Sequence, residues 1–501
     1  MSKKPNYLVF CVDQMQSFAM GCNGNTQVKT PNLDSLAAEG TSFCRAYCAN
    51  TTCMPSRASI FTGLTPKQHG CISNGVMLPE SIPTIVEALS NHGYRTYGSG
   101  KFHLQSTNLT HTSEESAARW DSNELTKLPV PYYGFTETNF VGAHINRCYG
   151  EYKQWLDVVA PGTWDLYQSE NAYATPVNHG STWRMEVPVE LHYNNYIGDT
   201  TIDFLNSVKD DENFFVWCSF PDPHAPFVAC KPYSEMYNPA DMIVNETWDY
   251  TEESLAHLEE RRKTLYGNKP AFDKEILQEM QAQTYGMITH VDDNIGRVMD
   301  ALKENNLDEN TIVVFMADHG EYLGTHHLLQ KHEWPYEELS RVPFIWKMPT
   351  GNAIKGNCEQ VVSLLDFAPT VLELSGISQD ELDARGQLGK AKPLGLPGRT
   401  LTSYLVDGVA LTPTPAYIEF EEDWFDGPFY RDRIIVTEKY KLALFVNAGD
   451  GYLFDLEKDP HEKVNLFFEE TYKDIKQDLS SKLLEHLIKT DRTDLKRVEA
   501  F

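Results

Sequence analysis

A cysteine and an arginine lie four positions apart in the segment from Cys53 to Arg57, whose sequence is CMPSR. Pro55 is favoured in the first turn of a helix because its missing N–H is not needed there, and Gly63 is typical of a helix end. The pattern therefore predicts a helix that begins at Cys53. Backbone N–H groups at such a start favour an anion, and Arg57 would lie near the same face. Cys53 is thus a candidate thiolate nucleophile, and an ordinary half-buried cysteine is the alternative.

Charged and imidazole side chains follow four predicted strands, at the point where each strand ends. Short β-branched and aromatic runs alternate with helical patterns, which predicts an α/β fold with a mostly parallel sheet. The strands and the residues after them are Tyr7–Val12 with Asp13 and Gln14, Arg95–Gly98 with Lys101 and His103, Asn213–Phe220 with His224, and Thr311–Ala317 with Asp318 and His319. Ligands of open α/β sheets bind beyond the carboxyl ends of the strands. We therefore expect these side chains to meet at one edge of the sheet.

Two of these strand ends carry carboxylates that could bind a metal ion. Asp13 and Asp318 would supply hard oxygen ligands to a divalent cation, with Gln14 and His319 beside them. An isolated Asp after a strand is more commonly a turn former, so it is the joint placement that favours a metal site.

The overall charge excludes several classes of partner. The chain has 71 acidic and 43 basic residues and a net charge of -28, so its average field repels polyanions such as nucleic acid and anionic membrane surfaces. Its apolar runs are far shorter than the roughly 20 residues that cross a bilayer. Its 10 cysteines lack the spacing of a disulfide scaffold or a zinc site. Together with the lack of a visible export signal, this predicts reduced thiols in the cytoplasm. A homo-oligomer is compatible with symmetry statistics alone.

Two units are predicted along the chain: a catalytic α/β unit over residues 1–400 and a smaller unit over residues 401–501. The boundary is placed after a segment rich in Gly, Pro and Lys at Gly386–Gly398. The smaller unit contains three predicted antiparallel strands and one closing amphipathic helix: Arg433–Thr437, Lys441–Phe445, Tyr452–Asp455 and Thr471–Lys489.

The CMPSR segment resembles the C-x-P-S-R signature of type I sulfatases, a family of the alkaline phosphatase superfamily in which this Cys is oxidised to Cα-formylglycine after synthesis. Further segments resemble sulfatase signatures in the same order along nearly the whole chain: Thr30–Ala37, Gly100–His103, Asp318–Glu321 and Tyr452–Pro460. The resemblance implies the alkaline-phosphatase-like fold. That fold has a large mixed, mostly parallel sheet sandwiched by helices, with a smaller C-terminal α+β subdomain that contains an antiparallel sheet.

The resemblance also implies an activity and a set of roles. The enzyme would be a sulfuric ester hydrolase that cleaves aryl, sugar or small alkyl sulfate monoesters. Its nucleophile would be Cys53, matured to formylglycine by a separate enzyme and hydrated to a geminal diol. The catalytic set implied by the family comprises Cys53, Arg57, Lys101, His103, His224 and Lys331. In it the two lysines bind the sulfate, His103 is the base that expels sulfate, and His224 is the general acid.

A divalent cation is implied as well, and it would polarise the sulfate. Its ligands would be Asp13, Gln14, residue 53, Asp318 and His319. The family binds Ca²⁺ most often. Because Gln14 stands where relatives have a second Asp, Mg²⁺ and Mn²⁺ stay open.

Two other functions compete with this one. A phosphonate monoester or phosphodiester hydrolase of the same superfamily would share the nucleophile, but such enzymes carry hydroxyl-bearing residues where this chain has Lys101 and His103. The other alternative is an inactive binding protein.

Several further residues are weaker candidates. His69 and Asn74 could line the entrance or be structural. His144, Arg147 and Tyr152 are candidates for recognising the non-sulfate part of the substrate. The acidic and aromatic run Glu419–Phe429 is expected to be a solvated loop.

Overall fold

The computed structural model of the protein describes residues 4–108, 112–177, 180–248, 255–266, 272–349, 354–382, 395–423, 429–446 and 449–491. Most of the predicted boundary segment Gly386–Gly398 lies outside these residues.

The larger of two sheets is mixed and mostly parallel. Its strands are β1 (Asn6–Val12), β2 (Thr41–Tyr47), β3 (Tyr94–Gly100), β4 (Glu137–Gly142), β5 (Tyr149–Gly150), β6 (Asn213–Phe220), β7 (Thr311–Ala317), β8 (Arg341–Val342), β9 (Phe344–Lys347) and β10 (Gly356–Ser363). Within the described residues the order is β10-β2-β9-β7-β1-β6-β3-β4-β5, and β8 pairs with β2. β1 pairs in parallel with β6 and β7, and β3 pairs in parallel with β6 and β4. The predicted fold class is confirmed.

The described residues also form α-helices, of which the last packs on the smaller sheet described below. They are α1 (Pro31–Glu39), α2 (Cys53–Thr62), α3 (Pro66–His69), α4 (Ile85–Asn91), α5 (Ala117–Asp121), α6 (Glu151–Val159), α7 (Tyr193–Ser207), α8 (Ala256–Tyr266), α9 (Lys274–Glu304), α10 (Glu337–Ser340), α11 (Phe367–Leu374), α12 (Thr402–Asp407) and α13 (Lys473–Lys489). β1 and β7 are buried along their whole length, as expected for parallel strands covered on both faces. α7 packs against β3 and β6, and also against the long helix α9.

The smaller sheet is antiparallel and lies near the C-terminus. Its strands, in the order in which they pair, are β11 (Ala416–Asp423), β12 (Phe429–Val436), β13 (Tyr440–Phe445) and β14 (Gly451–Asp455). Leu479 and Leu483 of α13 pack with Ile435, Leu442 and Leu453 on one face of it. α12, by contrast, contributes residues to the core of the larger unit. The second sheet thus begins after α12.

The prediction of a solvated loop over Glu419–Phe429 is wrong for its first part, which is strand β11. Glu419 and Glu421 are buried, because Glu419 accepts a hydrogen bond from the backbone of Lys67 (2.8 Å) and Glu421 pairs with Arg433 of the neighbouring strand. Residues 424–428 lie outside the described part of the chain. Acidic side chains that find such partners can be buried in a strand.

No helix in the described residues is long and apolar enough to span a membrane.

Candidate functional site

The strand register brings the predicted site residues to one edge of the larger sheet. Val12 lies beside both Ala317 and Phe220. The backbone N–H of Asp318 donates to the carbonyl of Val12 (3.2 Å). The backbone N–H of Lys101 donates to the carbonyl of Ser219 (3.0 Å). The residues that follow β1, β3 and β7 therefore start from neighbouring points, as predicted.

Helix α2 begins at Cys53 and ends at Thr62, and it is followed by its C-cap Gly63, whose φ is 67°. Such a left-handed cap suits glycine, so the predicted helix is confirmed. Cys53 is 1% exposed, so its thiol is not the half-buried one of the alternative interpretation. The backbone N–H of Met54 donates to Asn74 Oδ1 (3.0 Å), so Asn74 supports the start of this helix.

The thiol of Cys53 lies among cationic and polar side chains. Its Sγ is 2.9 Å from Lys331 Nζ, 3.2 Å from His319 Nε2 and 3.6 Å from Asp13 Oδ1. Burial and the Asp13 carboxylate raise the thiol pKa, but Lys101, Lys331 and His319 oppose them and hold it well below its usual value. Position 53 therefore stands where a negative charge is stabilised.

Arg57 ties the strand ends to helix α2. Its Nε donates to Asp318 Oδ2 at 2.7 Å, and neither side chain is exposed. One terminal nitrogen donates to the Lys101 carbonyl (2.9 Å) and to Ser219 Oγ (3.0 Å), and the other lies 3.6 Å from Asp13 Oδ2. A buried guanidinium with several acceptors fixes their geometry.

The donor set at this edge fits a divalent cation. Ligand atoms of Asp13, Cys53, Asp318 and His319 all lie within 4.8 Å of one another, and all four residues are buried. His319 Nδ1 lies 2.9 Å from the Gly320 carbonyl, so this N–H donates and the Nε2 lone pair is turned towards the cluster. Two carboxylates and one imidazole are suitable ligands for a divalent metal.

Gln14 lies beside this donor set. Its Oε1 accepts a hydrogen bond from Lys331 Nζ (2.8 Å), and its Nε2 donates to the carboxylate of Glu321. Its φ of 62° is in the left-handed region, and its backbone N–H donates to Asp318 Oδ1 (3.0 Å). Gln14 thus presents an amide oxygen to the site on a constrained backbone.

Lys101 is almost fully buried and pairs with the carboxylate of Asp13. Its Nζ also lies 2.9 Å from His144 Nε2, which in turn lies 3.3 Å from Asp13 Oδ2. Burial raises the pKa of Asp13, yet Lys101, His224, His144 and Arg57 together hold that pKa well below its usual value. The Asp13 carboxylate is therefore ionised at neutral pH.

His224 lies in the same cluster, beside Lys331 and His144. Lys331 Nζ is 3.0 Å from His224 Nε2, and His224 Nδ1 lies against the Ala225 carbonyl at 2.5 Å. Its ring stacks on that of His144 with centroids 3.6 Å apart and planes 3° from parallel. Burial and Lys331 lower the pKa of His224. Its Nε2 is therefore unprotonated and accepts the lysine's hydrogen bond.

His103 follows strand β3 with its backbone in the left-handed region, where its φ is 56°. Its backbone N–H donates to Glu115 Oε2 (3.0 Å), and both His103 and Lys101 line one cavity. Among the described residues no hydrogen bond joins it to Cys53.

The weaker candidates divide into structural and site residues. His69 is buried and bonds to Ser59 Oγ (3.0 Å), so it is structural. The expectation that Tyr152 contacts substrate is wrong. Tyr152 is fully buried, and its hydroxyl bonds to Tyr167 (2.6 Å) and the Leu191 carbonyl (2.7 Å).

Two residues of the site have weak signals in the sequence. His144, a candidate for contact with the non-sulfate part of the substrate, follows strand β4, which the local pattern does not predict. Recognising Glu137–Gly142 as a strand would have placed His144 at the same sheet edge. Glu321 was not singled out as a site residue, and only the fold shows that it contacts Gln14 and accepts the N–H of Leu323 (3.0 Å).

Comparisons with known proteins cover nearly the whole chain. A family model described as Sulfatase matches residues 5–377, and one described as N-sulphoglucosamine sulphohydrolase, C-terminal matches residues 414–489. The arylsulfatase of Clostridium perfringens is 32% identical over 94% of this chain and 92% of its own. The N-acetylglucosamine-6-O-sulfatase of Bacteroides thetaiotaomicron is 25% identical over 94% and 84%. The crystal structure of the phosphonate monoester hydrolase of Agrobacterium radiobacter has a TM-score of 0.77 at 23% identity and covers 97% of this chain and 96% of its own.

Proposed function

Because the chain belongs to the sulfatase family and is a sulfuric ester hydrolase, we propose that it cleaves its ester through a formylglycine made from Cys53. The observation that carries this proposal is the position of Cys53 at the start of a buried helix, with Lys331 Nζ at 2.9 Å and Asp13 at 3.6 Å. A hydrated aldehyde at position 53 has two hydroxyl groups on one carbon. A plain thiol or serine lacks the second one.

In the first step, one hydroxyl oxygen of the diol forms a bond to sulfur while the bond from sulfur to the ester oxygen breaks. The attacking hydroxyl releases its proton in this step, and the alcohol leaves with a proton from His224, whose Nε2 takes one up from solution in the enzyme–substrate complex. In the second step, the other hydroxyl loses its proton to a base, the bond from carbon to the sulfated oxygen breaks, and sulfate leaves. The aldehyde forms again and is rehydrated by water.

Two lysines would bind the sulfate. Lys101 pairs with Asp13 and Lys331 contacts Cys53, and two positive charges in the site suit the equatorial oxygens as charge builds on them. Arg57 holds the carboxylates of Asp13 and Asp318 in place rather than the ester.

His224 is proposed as the general acid. Its Nε2 accepts from Lys331 in the present arrangement. A sulfate that draws Lys331 to its own oxygens frees this nitrogen to carry the proton for the leaving alcohol.

The base of the second step is proposed to be His103, with His144 as its rival. His103 lines the cavity that Lys101 also lines, whereas His144 contacts both Lys101 and Asp13. Replacing each in turn decides between them: loss of the base leaves a sulfated enzyme that accumulates, which intact-protein mass spectrometry detects.

A divalent cation is proposed to be held by Asp13, Gln14, Asp318, His319 and the side chain at position 53. We propose Ca²⁺, because the carboxylate and amide oxygens favour hard cations. Mg²⁺ and Mn²⁺ are alternatives, because Gln14 replaces one carboxylate of the set that binds Ca²⁺. When bound, it polarises the sulfate and lowers the pKa of the attacking hydroxyl.

The proposal is tested by peptide mass spectrometry of residue 53 and by turnover. Conversion of the thiol to an aldehyde or its hydrate is expected in protein from a host that has the maturation enzyme. Turnover of nitrophenyl sulfate should exceed that of phenylphosphonate and bis-nitrophenyl phosphate. An unconverted thiol in fully active protein would refute the proposed nucleophile.

The cellular setting proposed is the cytoplasm, where the maturation enzyme must act on this chain. All 10 cysteines lie within the described ranges and none forms a disulfide there, which suits a reducing compartment. Fractionation of native cells with an antibody to the protein tests this localisation.

A further inference from the structure

Two cavities flank the catalytic cluster and meet at the same pair of residues. One has a volume of about 320 Å³ and includes Lys101, and the other has about 360 Å³ and includes His224. His144 and Arg147 line both of them. Cavities of this size hold small organic ligands. The alcohol part of an ester bound between Lys101 and His224 therefore has space to extend past Arg147.

Arg147 is an exposed cation at this junction. It ends a single helical turn, Ile145–Arg147, where its backbone N–H donates to the His144 carbonyl (3.0 Å). Its guanidinium forms no hydrogen bond or ion pair with any described residue. Arg184 differs from Arg147, because it lines neither cavity and its guanidinium donates two hydrogen bonds to the Glu279 carboxylate (2.9 and 3.0 Å). The chain has a net charge of -28, so a pocket cation that has no ion-pair partner among the described residues is unusual.

The backbone holds the segment that carries Arg147 in an unusual conformation. φ is 57° at Ala143 and 46° at Ile145, and a β-branched residue rarely adopts such a value. Ile145 is fully buried, so core packing maintains this turn. Strained backbone of this kind concentrates at ligand-binding sites.

A second group in the same cavities also lacks a partner. Trp183 lines the larger cavity and is 2% exposed. Its indole N–H is buried and has no hydrogen-bond partner in the described part of the chain. A buried donor without an acceptor is costly, and a ligand oxygen in this cavity could satisfy it.

We infer that Arg147 binds a second anionic group on the alcohol part of the substrate, a carboxylate or a further sulfate. A guanidinium presents paired N–H donors that match either oxyanion. The substrate class is therefore a sulfate ester, of the size of one sugar ring, that carries an additional negative charge. This inference rests on the proposed function for the sulfate that is cleaved.

The test compares three matched esters: a neutral sugar monosulfate, the corresponding uronic acid sulfate and the disulfated sugar. The wild-type enzyme should show a higher kcat/KM for at least one charged ester than for the neutral one. In Arg147→Gln the ratio of kcat/KM for the charged ester to kcat/KM for the neutral ester should fall about 10- to 100-fold, mainly through KM. Arg147→Lys should recover part of this ratio. The charged ester that is preferred identifies the anion.

The control is Lys209→Gln, which removes an exposed cation near the opposite end of β6 and should leave the ratio unchanged. Calorimetry on the inactive variant Cys53→Ala measures binding without turnover. Charged esters should bind Cys53→Ala more tightly than they bind the double variant Cys53→Ala with Arg147→Gln. The inference is overturned if charged esters bind equally well with and without Arg147, or if Arg147→Gln lowers kcat/KM equally for neutral and charged esters. If none of the three esters is hydrolysed but their binding still depends on Arg147, the result counts against the proposed function instead.

Discussion

The guanidinium of Arg57 and the carboxylate of Asp318 form an ion pair at 2.7 Å in which neither side chain is exposed. The pair joins helix α2 to the end of β7. Because Asp318 Oδ1 also accepts the backbone N–H groups of Gln14 and His319 (3.0 and 2.9 Å), one carboxylate organises three parts of the site.

Replacing Arg57 should therefore destabilise the protein as well as inactivate it. Arg57→Met leaves Asp318 and Asp13 buried with less compensating charge, which costs about 3–5 kcal/mol for a buried pair. The urea midpoint measures this. The double variant Arg57→Met with Asp318→Asn should be more stable than Arg57→Met alone, because it removes the carboxylate that Arg57→Met leaves without its partner. A double variant that is less stable would show that the pair does not act as a unit.

The nucleophile at position 53 is tested against another buried cysteine. Cys53→Ser should lower kcat about 10³-fold or more, because serine offers one hydroxyl where the proposed diol offers two. Cys71→Ala removes a fully buried thiol from the core and should keep turnover. Comparable losses in the two variants, at matched folding by circular dichroism, would contradict the assignment.

His224→Gln should distinguish leaving groups. A general acid matters most when the leaving alcohol is a poor leaving group, so kcat for a sugar or alkyl sulfate should fall about 10²- to 10⁴-fold. For nitrophenyl sulfate, whose leaving group needs little protonation, the loss should be much smaller. A uniform loss across both esters would assign His224 to binding instead.

Removal of the cation should affect stability and turnover together. Chelation is expected to abolish turnover and lower the melting temperature, because a ligand at 100 times its Kd stabilises the fold by about 2.7 kcal/mol. Adding back Ca²⁺, Mg²⁺ or Mn²⁺ separately ranks the metals. In the double variant Asp13→Asn with Asp318→Asn, none of them should raise the melting temperature.

One carboxyl outside the site should make stability depend on pH. Burial raises the pKa of Glu151 to about 7, against the opposing hydrogen bond from Phe140 (2.7 Å) and the charge of Lys127. The folded state thus binds this proton more tightly than the unfolded state, whose pKa is near 4.5, and stability falls as pH rises between these values. Glu151→Gln cannot ionise.

Raising the pH from 5 to 8 should therefore increase the free energy of unfolding of Glu151→Gln relative to that of the wild type by about 1–3 kcal/mol. Urea unfolding at each pH measures this difference. Glu190→Gln, which removes an exposed carboxylate, controls for net charge. An equal response of both variants to pH would show that burial of Glu151 is not the cause.

The fold was largely predictable because its signals are local. Pro55 and Gly63 mark the ends of α2, and the apolar runs of β6 and β7 match their strands to the residue. Four predicted strand ends implied that Asp13, Lys101, His224 and Asp318 meet at one edge, and the parallel register places them there.

The sequence by itself determined which residue types stand at the strand ends, because strand and helix periodicity depends on near neighbours along the chain. Only the tertiary structure decided that His144 rather than His103 contacts Lys101 and Asp13, that Glu419 is buried beside Lys67, and that Arg147 stands where two cavities meet. These relations join residues far apart in sequence. They depend on loop backbone angles and on charge pairing across elements, and neither is encoded in local periodicity.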